Sequence, residues 1–188
     1  LVVRSATGAI VTDVDGREYL DFVGSWGPLI LGHAHPKIVA AVEAACRRGT
    51  SYGAPCQPEI ELAEEVVQAY PGVDQVRFVS SGTEAVMQAV RLARYHTRRK
   101  YLVRFPGAYH GWWEDVQPGP GNPLPPRETY TLADLSERSL QVLRSRKDIA
   151  CVLVNPLQAL HPNASAPGDG SLVDGSRRAH FDRAAYAA

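Results

Sequence analysis

An alternation of short apolar runs and amphipathic stretches in the middle of the chain constrains the fold most strongly. Residues 76–79, 101–105 and 149–154 are rich in β-branched, aromatic or other apolar side chains, which is typical of strands. Residues 84–99 and 132–146 separate these runs and carry apolar side chains at helical spacing. Because continuous apolar strands suit a parallel sheet covered on both faces, the order predicts a layered α/β domain.

The preceding part of the chain predicts a short strand over 16–23, an apolar loop and two helices. Pro36 can occupy the first turn of one helix, which runs to about residue 48, and Pro58 opens the next. Three strands alone would leave both edges of a sheet open, so the chain looks like part of a larger domain. We divide it into an N-terminal segment (1–70), an α/β region (71–157) and a Gly/Pro-rich tail that begins a further helix (158–188).

Composition excludes several classes of protein. The 188 residues include 20 basic and 20 acidic side chains, and this zero net charge argues against a nucleic-acid or acidic-membrane binder. No apolar run approaches the roughly 18 residues of a membrane span, and the N-terminus lacks a signal-peptide pattern, so we expect a cytoplasmic protein. The chain has no Cys-x-x-Cys pair, and its histidines have no carboxylates at ligand spacing, so we expect no metal site.

The motif Ser80-Ser81-Gly82-Thr83 lies between a predicted strand and a predicted helix. The start of a helix offers unpaired N–H groups and the positive end of the helix dipole, which together attract anions. Gly82 would let the backbone approach a phosphate closely, and Ser81 and Thr83 add hydroxyl donors. An ordinary N-cap at Ser81 or Thr83 is the simpler explanation of this motif when it is taken alone.

Two further motifs lie in loops. Residues 107–111, Gly-Ala-Tyr-His-Gly, follow the second predicted strand, where ligands of α/β sheets bind. Tyr109 could stack on a flat cofactor there, or it could be a packed loop residue beside a solvent-facing His110. Residues 24–27, Gly-Ser-Trp-Gly, could line a substrate pocket, or Trp26 could anchor the loop in the core.

Taken together, these motifs resemble those of the class III aminotransferases, which are pyridoxal 5'-phosphate (PLP) enzymes of fold type I. The resemblance is strongest to the glutamate-1-semialdehyde aminomutase branch and to aminotransferase domains of polyketide and nonribosomal-peptide assembly lines. It implies a partial three-layer sheet of the PLP-transferase large domain, preceded by a strand, loop and helix segment. The matching stretches occur in family order at 15–21, 27–36, 52–55, 76–85 and 109–111.

The resemblance implies a cofactor site built from the two central motifs. Ser81, Gly82 and Thr83 would hold the cofactor phosphate. Tyr109 would stack on the pyridine ring, and His110 would lie beside it in the cofactor site. These roles agree with the phosphate site and the aromatic platform that the residues themselves suggest.

Further roles follow from the same resemblance. Ser25 and Trp26 would lie near the substrate. Asn155 stands before a proline where relatives often show Glu-Pro, so Asn155 or the nearby Asn163 could reach the ring hydroxyl. Fold type I transaminases place their active sites at a dimer interface, which implies a homodimer.

The chain departs from the family pattern in lacking the lysine that forms the Schiff base with the cofactor. It also lacks the later aspartate that pairs with the pyridine nitrogen. No lysine of the chain stands in the family context, so we predict no catalytic residue here and expect this chain alone to be inactive. The lysines are Lys37, Lys100 and Lys147.

We therefore expect the N-terminal part of a transaminase that transfers an amino group from an amino donor to a carbonyl acceptor. The proline-rich loop at 118–126 favours an assembly-line enzyme, whose acceptor could ride on an acyl carrier protein. A glutamate-1-semialdehyde-type 2,1-aminomutase is one alternative. A non-catalytic α/β interaction fragment and a phosphate-binding domain for another ligand are the others.

Overall fold

The computed structural model describes residues 1–105, 108–117, 127–132 and 136–155. The chain forms two compact units, of which the first is Leu1–Val76 and the second begins at Arg77. Each unit has its own sheet. The division at residues 70 and 157 that the sequence suggests stays a prediction.

The first unit begins with a three-stranded antiparallel sheet, β1 (Val3–Thr7), β2 (Ile10–Asp13) and β3 (Glu18–Leu20), in that order. The buried Asp13 carboxylate stabilises the turn between β2 and β3 by accepting hydrogen bonds from the Arg17 N–H and the Tyr19 hydroxyl, at 2.9 and 2.8 Å. The Arg17 N–H is the largest cause of the lowered pKa of Asp13. Only one strand was predicted here, over 16–23, so β1 and β2 are additions from the structure.

Two helices follow, α1 (Pro36–Cys46) and α2 (Gln57–Ala69). Both predicted helices are confirmed, and each has a proline in its first turn, where the missing N–H group costs no hydrogen bond. Gly49 follows α1 with a φ of +132°, a conformation that favours glycine. Neither helix contains a buried residue within the part of the chain that the structure describes.

The second unit contains α3 (Gly82–Thr97), β4 (Tyr101–Arg104), β5 (Thr129–Thr131), α4 (Glu137–Ser145) and β6 (Ile149–Val152). The strands form a parallel sheet in the order β5-β4-β6. On one face, Leu102 of the central strand packs with Val90 of α3. On the other face, Val103 belongs to a cluster that includes Leu143 of α4. The unit is therefore a helix–sheet–helix sandwich, as the sequence predicts.

Parallel pairing brings the carboxyl ends of β4, β5 and β6 to one edge of this sheet, which we call the carboxyl rim. The hydrogen bond from the Leu153 N–H to the Val103 carbonyl, at 2.8 Å, extends the β4–β6 pairing toward this rim. The segments that follow β4 and β6 therefore leave the sheet beside each other.

One predicted strand is absent and one strand was not predicted. Residues 76–79 form no strand, because a strand requires a hydrogen-bonded neighbour and no strand of the described sheets pairs with them. The unpredicted β5 follows the proline-rich loop predicted at 118–126. The helix predicted over 132–146 begins at Glu137 rather than 132, and the loop at 118–126 and the tail from 158 lie outside the described residues.

Candidate functional site at the carboxyl rim

The start of α3 is held by two reciprocal hydrogen bonds. The N-cap Ser81 accepts a bond from the Glu84 N–H through its Oγ at 3.2 Å, and the Glu84 carboxylate accepts one from the Ser80 N–H at 2.7 Å. The N-cap interpretation of Ser81 is therefore right. This cap does not occupy the predicted anion site. The first N–H groups of a helix, here those of Gly82 and Thr83, have no intrahelical acceptor and can bind an anion.

Gly82 faces open space. A Cβ built on Gly82 would meet no atom within 4 Å, and its φ lies outside the left-handed region. Neither packing nor backbone conformation therefore requires a glycine here. A ligand can approach the first turn of α3 at this position, and the absence of a side chain brings it closer to the backbone.

Gly111 packs directly against the same turn. A Cβ on Gly111 would lie 2.8 Å from Thr83 Oγ1 and 3.0 Å from Thr83 Cα, and its φ is +107°. Thr83 is only 6% exposed. The loop after β4 and the start of α3 therefore meet at the carboxyl rim, which brings together two motifs that are separate in the sequence.

Tyr109 and His110 directly precede Gly111 in this loop. Tyr109 lies two residues before Gly111 and is 60% exposed, so the alternative of a packed loop tyrosine is wrong. His110 is half-buried, and its Nε2 is buried without a hydrogen-bond partner. Burial, and then the charge of Arg104, lowers the pKa of His110, so the ring is neutral at pH 7. The alternative of a solvent-facing histidine is also wrong.

Arg104 is a buried cation at the end of β4 that the sequence analysis missed. Its side chain is 6% exposed, and Nη1 donates to the Val116 carbonyl at 3.1 Å. Nε is buried without an acceptor, and burial lowers the pKa of the guanidinium. Its signal in the sequence is a single charge inside the apolar run at 101–105.

Asn155 follows β6 and therefore leaves the sheet at the carboxyl rim. Its side chain is half-buried and engaged in an interaction. The second candidate for the ring hydroxyl, Asn163, lies outside the described residues.

Ser25 and Trp26 belong to the first unit and occupy a strained turn. Their φ values are +57° and +66°, between Gly24 at +55° and Gly27 at +107°. A left-handed conformation costs a non-glycine residue about 1–2 kcal/mol. Trp26 is 94% exposed, so it does not anchor the loop in the core. Strain of this kind concentrates at functional sites.

Asp21 and His33 hold the base of this turn. The Asp21 carboxylate accepts hydrogen bonds from the N–H groups of Val23 and Gly24 at 2.8 and 3.1 Å, and it lies 2.7 Å from His33 Nε2. The His33 backbone in turn exchanges two hydrogen bonds with Gly8. The bond with His33 is the largest cause of the lowered pKa of Asp21. The strained turn therefore rests on the hydrogen bond between Asp21 and His33.

The described ranges contain no cluster of three or more potential metal-ligating His, Cys, Asp or Glu residues. None of the helices in these ranges is long and apolar enough to span a lipid bilayer.

Comparison with known proteins gives consistent matches. The family model described as aminotransferase class-III matches residues 1–114. A glutamate-1-semialdehyde 2,1-aminomutase from Syntrophus aciditrophicus is 46% identical over 173 residues, which cover 84% of this chain and 40% of the relative. The chain therefore spans about two fifths of the length of the curated relatives it matches.

Solved structures of transaminases are also similar to this chain. A transaminase with PLP bound is 38% identical with a TM-score of 0.77, covering 93% of this chain and 44% of that one. An omega-transaminase from Sphaerobacter thermophilus is 30% identical with a TM-score of 0.75, covering 92% of this chain and 44% of that one. These likenesses confirm the α/β fold that the sequence predicts.

Proposed function

Because the chain belongs to the class III aminotransferases, a family of PLP-dependent fold type I enzymes, we propose that it supplies the phosphate-binding side of a transaminase active site. The whole protein would move an amino group from an amino donor to a carbonyl acceptor. We propose further that it is a cytoplasmic homodimer, which rests on the resemblance to fold type I enzymes.

The observation that carries this proposal is the contact of Gly111 with Thr83. Tyr109, which is exposed, lies two residues before Gly111 in the loop that meets the open N-terminus of α3. N–H groups at the start of a helix fit a phosphate, and an exposed aromatic ring fits a flat heterocycle. The residues present therefore fit a phosphate ester joined to an aromatic ring, which is the chemistry of PLP.

When bound, PLP supplies an electron sink for the negative charge that develops at the substrate Cα. The N–H groups of Gly82 and Thr83 would hold the phosphate, with the Ser81 hydroxyl as a further donor, because a hydroxyl that accepts one bond can still donate another. The positive end of the α3 dipole would stabilise the phosphate charge.

The other rim residues would orient the ring. Tyr109 would cover one face and exclude water from it. His110 is neutral, so it adds no positive charge beside the ring. Asn155 leaves the sheet at the same rim and would donate a hydrogen bond to the ring hydroxyl through its amide. For Ser25 and Trp26 of the first unit we propose a substrate-binding role, which rests on the resemblance.

The lysines of this chain fit no catalytic role at the carboxyl rim. Lys100 and Lys147 precede β4 and β6, so they lie at the opposite, amino edge of the sheet. Lys100 Nζ lies over the Tyr101 ring, and Lys147 Nζ donates to a carbonyl at the end of α4. Lys37 is in α1 of the first unit. The proposed reaction therefore needs a lysine from elsewhere in the protein, as in the family.

A second candidate is a 2,1-aminomutase, which is supported by the identity of 46% to the relative of that name. The finer alternative, an assembly-line transaminase with a carrier-bound acceptor, rests on the proline-rich loop at 118–126 and on the resemblance. A non-catalytic interaction fragment is the remaining alternative, since the chain contains no lysine in the family context.

Titration of the full-length gene product with PLP and with unphosphorylated pyridoxal tests the proposal. We expect saturable PLP binding with a visible absorbance band, and weaker binding of pyridoxal because it lacks the phosphate. Amino transfer is then assayed with a panel of donors and carbonyl acceptors, free and carrier-bound. Conversion of glutamate 1-semialdehyde without any added donor would identify the aminomutase.

A folded full-length protein that binds neither compound would contradict the proposal. Equal competition by inorganic phosphate and by PLP would favour a phosphate site for another ligand. Light scattering at several protein concentrations tests the homodimer, for which we expect a mass twice that of the chain.

A further inference from the structure

We propose that Arg104 is a positioning residue for the anion at the N-terminus of α3, which its buried guanidinium attracts through the protein interior. The inference rests on the proposed function, since it takes this anion to be the cofactor phosphate. Arg104 would act at a distance, behind the loop that carries His110, rather than as a direct ligand.

The buried guanidinium of Arg104 has no counter-ion among the described residues. Burying a cation without a counter-ion is unfavourable, so buried arginines are normally paired. Arg104 is 6% exposed, yet within the described ranges it forms no salt bridge, and its Nε has no acceptor. More exposed arginines of the same unit are paired, Arg94 with Asp115 at 3.2 Å and Arg146 with Asp148 at 2.8 Å. Among the described residues, the most buried of these three guanidinium groups thus has no anionic partner, whereas the other two have one.

Arg104 lies on the face of the sheet that packs against α3. Side chains two apart in a strand share a face, so Arg104 lies on the face of Leu102, which packs against Val90 of α3. From Leu102 to Arg104 the strand advances about 6–7 Å toward the carboxyl rim, as far as about four residues of helix. Because α3 begins at that rim, we infer that Arg104 lies about one turn of helix nearer the start of α3 than Leu102 does.

His110 and Gly111 connect Arg104 to the anion site. The charge of Arg104 contributes to the lowered pKa of His110. His110 precedes Gly111, whose backbone contacts Thr83 in the first turn of α3. Arg104 is therefore a buried cation whose charge acts on the loop that contacts the start of α3, and buried charges are screened by salt much less than exposed ones.

The test uses full-length protein with Arg104→Met and Arg104→Lys. We measure dissociation constants for PLP and for pyridoxal by titration. In Arg104→Met we expect PLP binding to weaken about tenfold, as for one charge about 10 Å away at an effective dielectric of about 20. Binding of pyridoxal should stay within about twofold, because pyridoxal carries no phosphate charge. Arg104→Lys keeps the positive charge and should restore most of the PLP affinity.

Arg94→Met is the matched control, because it removes a paired arginine near the other end of α3. It should leave the ratio of the PLP and pyridoxal constants unchanged. Equal weakening of both compounds in Arg104→Met would reveal a merely structural role and overturn the proposal. Wild-type protein that binds no PLP would refute the proposed function itself, whereas PLP binding with an unchanged ratio in Arg104→Met refutes only the role of Arg104.

If Arg104→Met does not fold, the crystal structure of the wild-type protein soaked with inorganic phosphate decides the matter. A phosphate at the start of α3, with no carboxylate within about 4 Å of the Arg104 guanidinium, supports the proposal. A carboxylate from another part of the protein within that distance contradicts it, because the buried charge would then already have its partner.

Discussion

Replacing Gly82 with alanine should separate cofactor binding from folding. A Cβ at this position meets nothing within 4 Å, and the backbone is outside the left-handed region. Alanine also restricts the unfolded chain and favours helix more than glycine does. We therefore expect the free energy of unfolding of the cofactor-free protein to be unchanged or raised by up to about 1 kcal/mol.

The same substitution should weaken PLP binding strongly. The new methyl group would occupy the space through which the phosphate approaches the Gly82 N–H. A hydrogen bond to a charged group is worth about 1.5–3 kcal/mol, so the loss of one such bond should weaken PLP binding roughly ten- to a hundred-fold. Binding of unphosphorylated pyridoxal should change much less.

Gly111→Ala is the matched control, because here the structure does require glycine. The φ of +107° is unfavourable for alanine, and the Cβ would lie 2.8 Å from Thr83 Oγ1 and 3.0 Å from Thr83 Cα. Backbone strain and overpacking together should cost about 2–6 kcal/mol of stability. Gly82→Ala should therefore leave the free energy of unfolding unchanged or raise it, whereas Gly111→Ala should lower it, although both replace a glycine of the same site.

Urea denaturation of the cofactor-free proteins and PLP titration of the folded ones give the two quantities. If Gly82→Ala lowers the unfolding midpoint as much as Gly111→Ala, the space beside Gly82 is not open. If it leaves PLP affinity within about twofold of wild type, the phosphate does not approach this amide. Either result would refute the site as described.

Three further substitutions have defined outcomes. Ser81→Ala removes the N-cap of α3 and should cost about 1 kcal/mol in urea denaturation, whereas an unchanged midpoint would contradict the cap. Asp21→Asn weakens the hydrogen bond with His33. Hydrogen exchange should therefore accelerate about tenfold at the Val23 and Gly24 amides, which the carboxylate binds. Acceleration spread evenly over the protein would contradict this role. The hydrogen bond from Arg146 lowers the pKa of Asp148 from its usual 3.8 to about 2, so its stabilisation is complete above pH 3.8 and disappears as the pH falls through about 2. Unfolding midpoints of Asp148→Asn should lack this pH dependence, and the same slope in both proteins would exclude it.

The helices could be predicted from the sequence because their signals are local. Prolines in the first turns of α1 and α2, and the Ser81 cap of α3, define the starts within two residues. The strands depend on partners that are distant in the sequence. The run at 76–79 has β-forming residues but no neighbour in the described sheet, whereas β5 (Thr129–Thr131) is a strand because it pairs with β4. Propensity alone does not decide such cases.

The candidate site shows the same distinction between local chemistry and tertiary contact. The phosphate motif was visible because a helix start with Gly82 has a local chemical meaning. The contact of Gly111 with Thr83 is a tertiary feature that no spacing rule predicts. The left-handed conformations of Ser25 and Trp26 were equally hidden, although the flanking glycines were a signal of an unusual turn.

The burial of Arg104 could not be predicted from the sequence, because a charged residue normally indicates an exposed position. Period-two alternation groups Leu102 with Arg104, and a mixed pair of this kind predicts a partly exposed face, yet both side chains are buried. A well-packed apolar side chain at such a position often stabilises a protein as well as a buried charge does, so the fold itself gives little reason for an arginine here. A binding role does give a reason. The cost of desolvating the guanidinium is incurred in the free protein and is offset when an anion binds at the start of α3. Substitution by methionine should therefore stabilise the cofactor-free protein while it weakens PLP binding, whereas replacement of an arginine that only supports the fold would lower the stability of the cofactor-free protein.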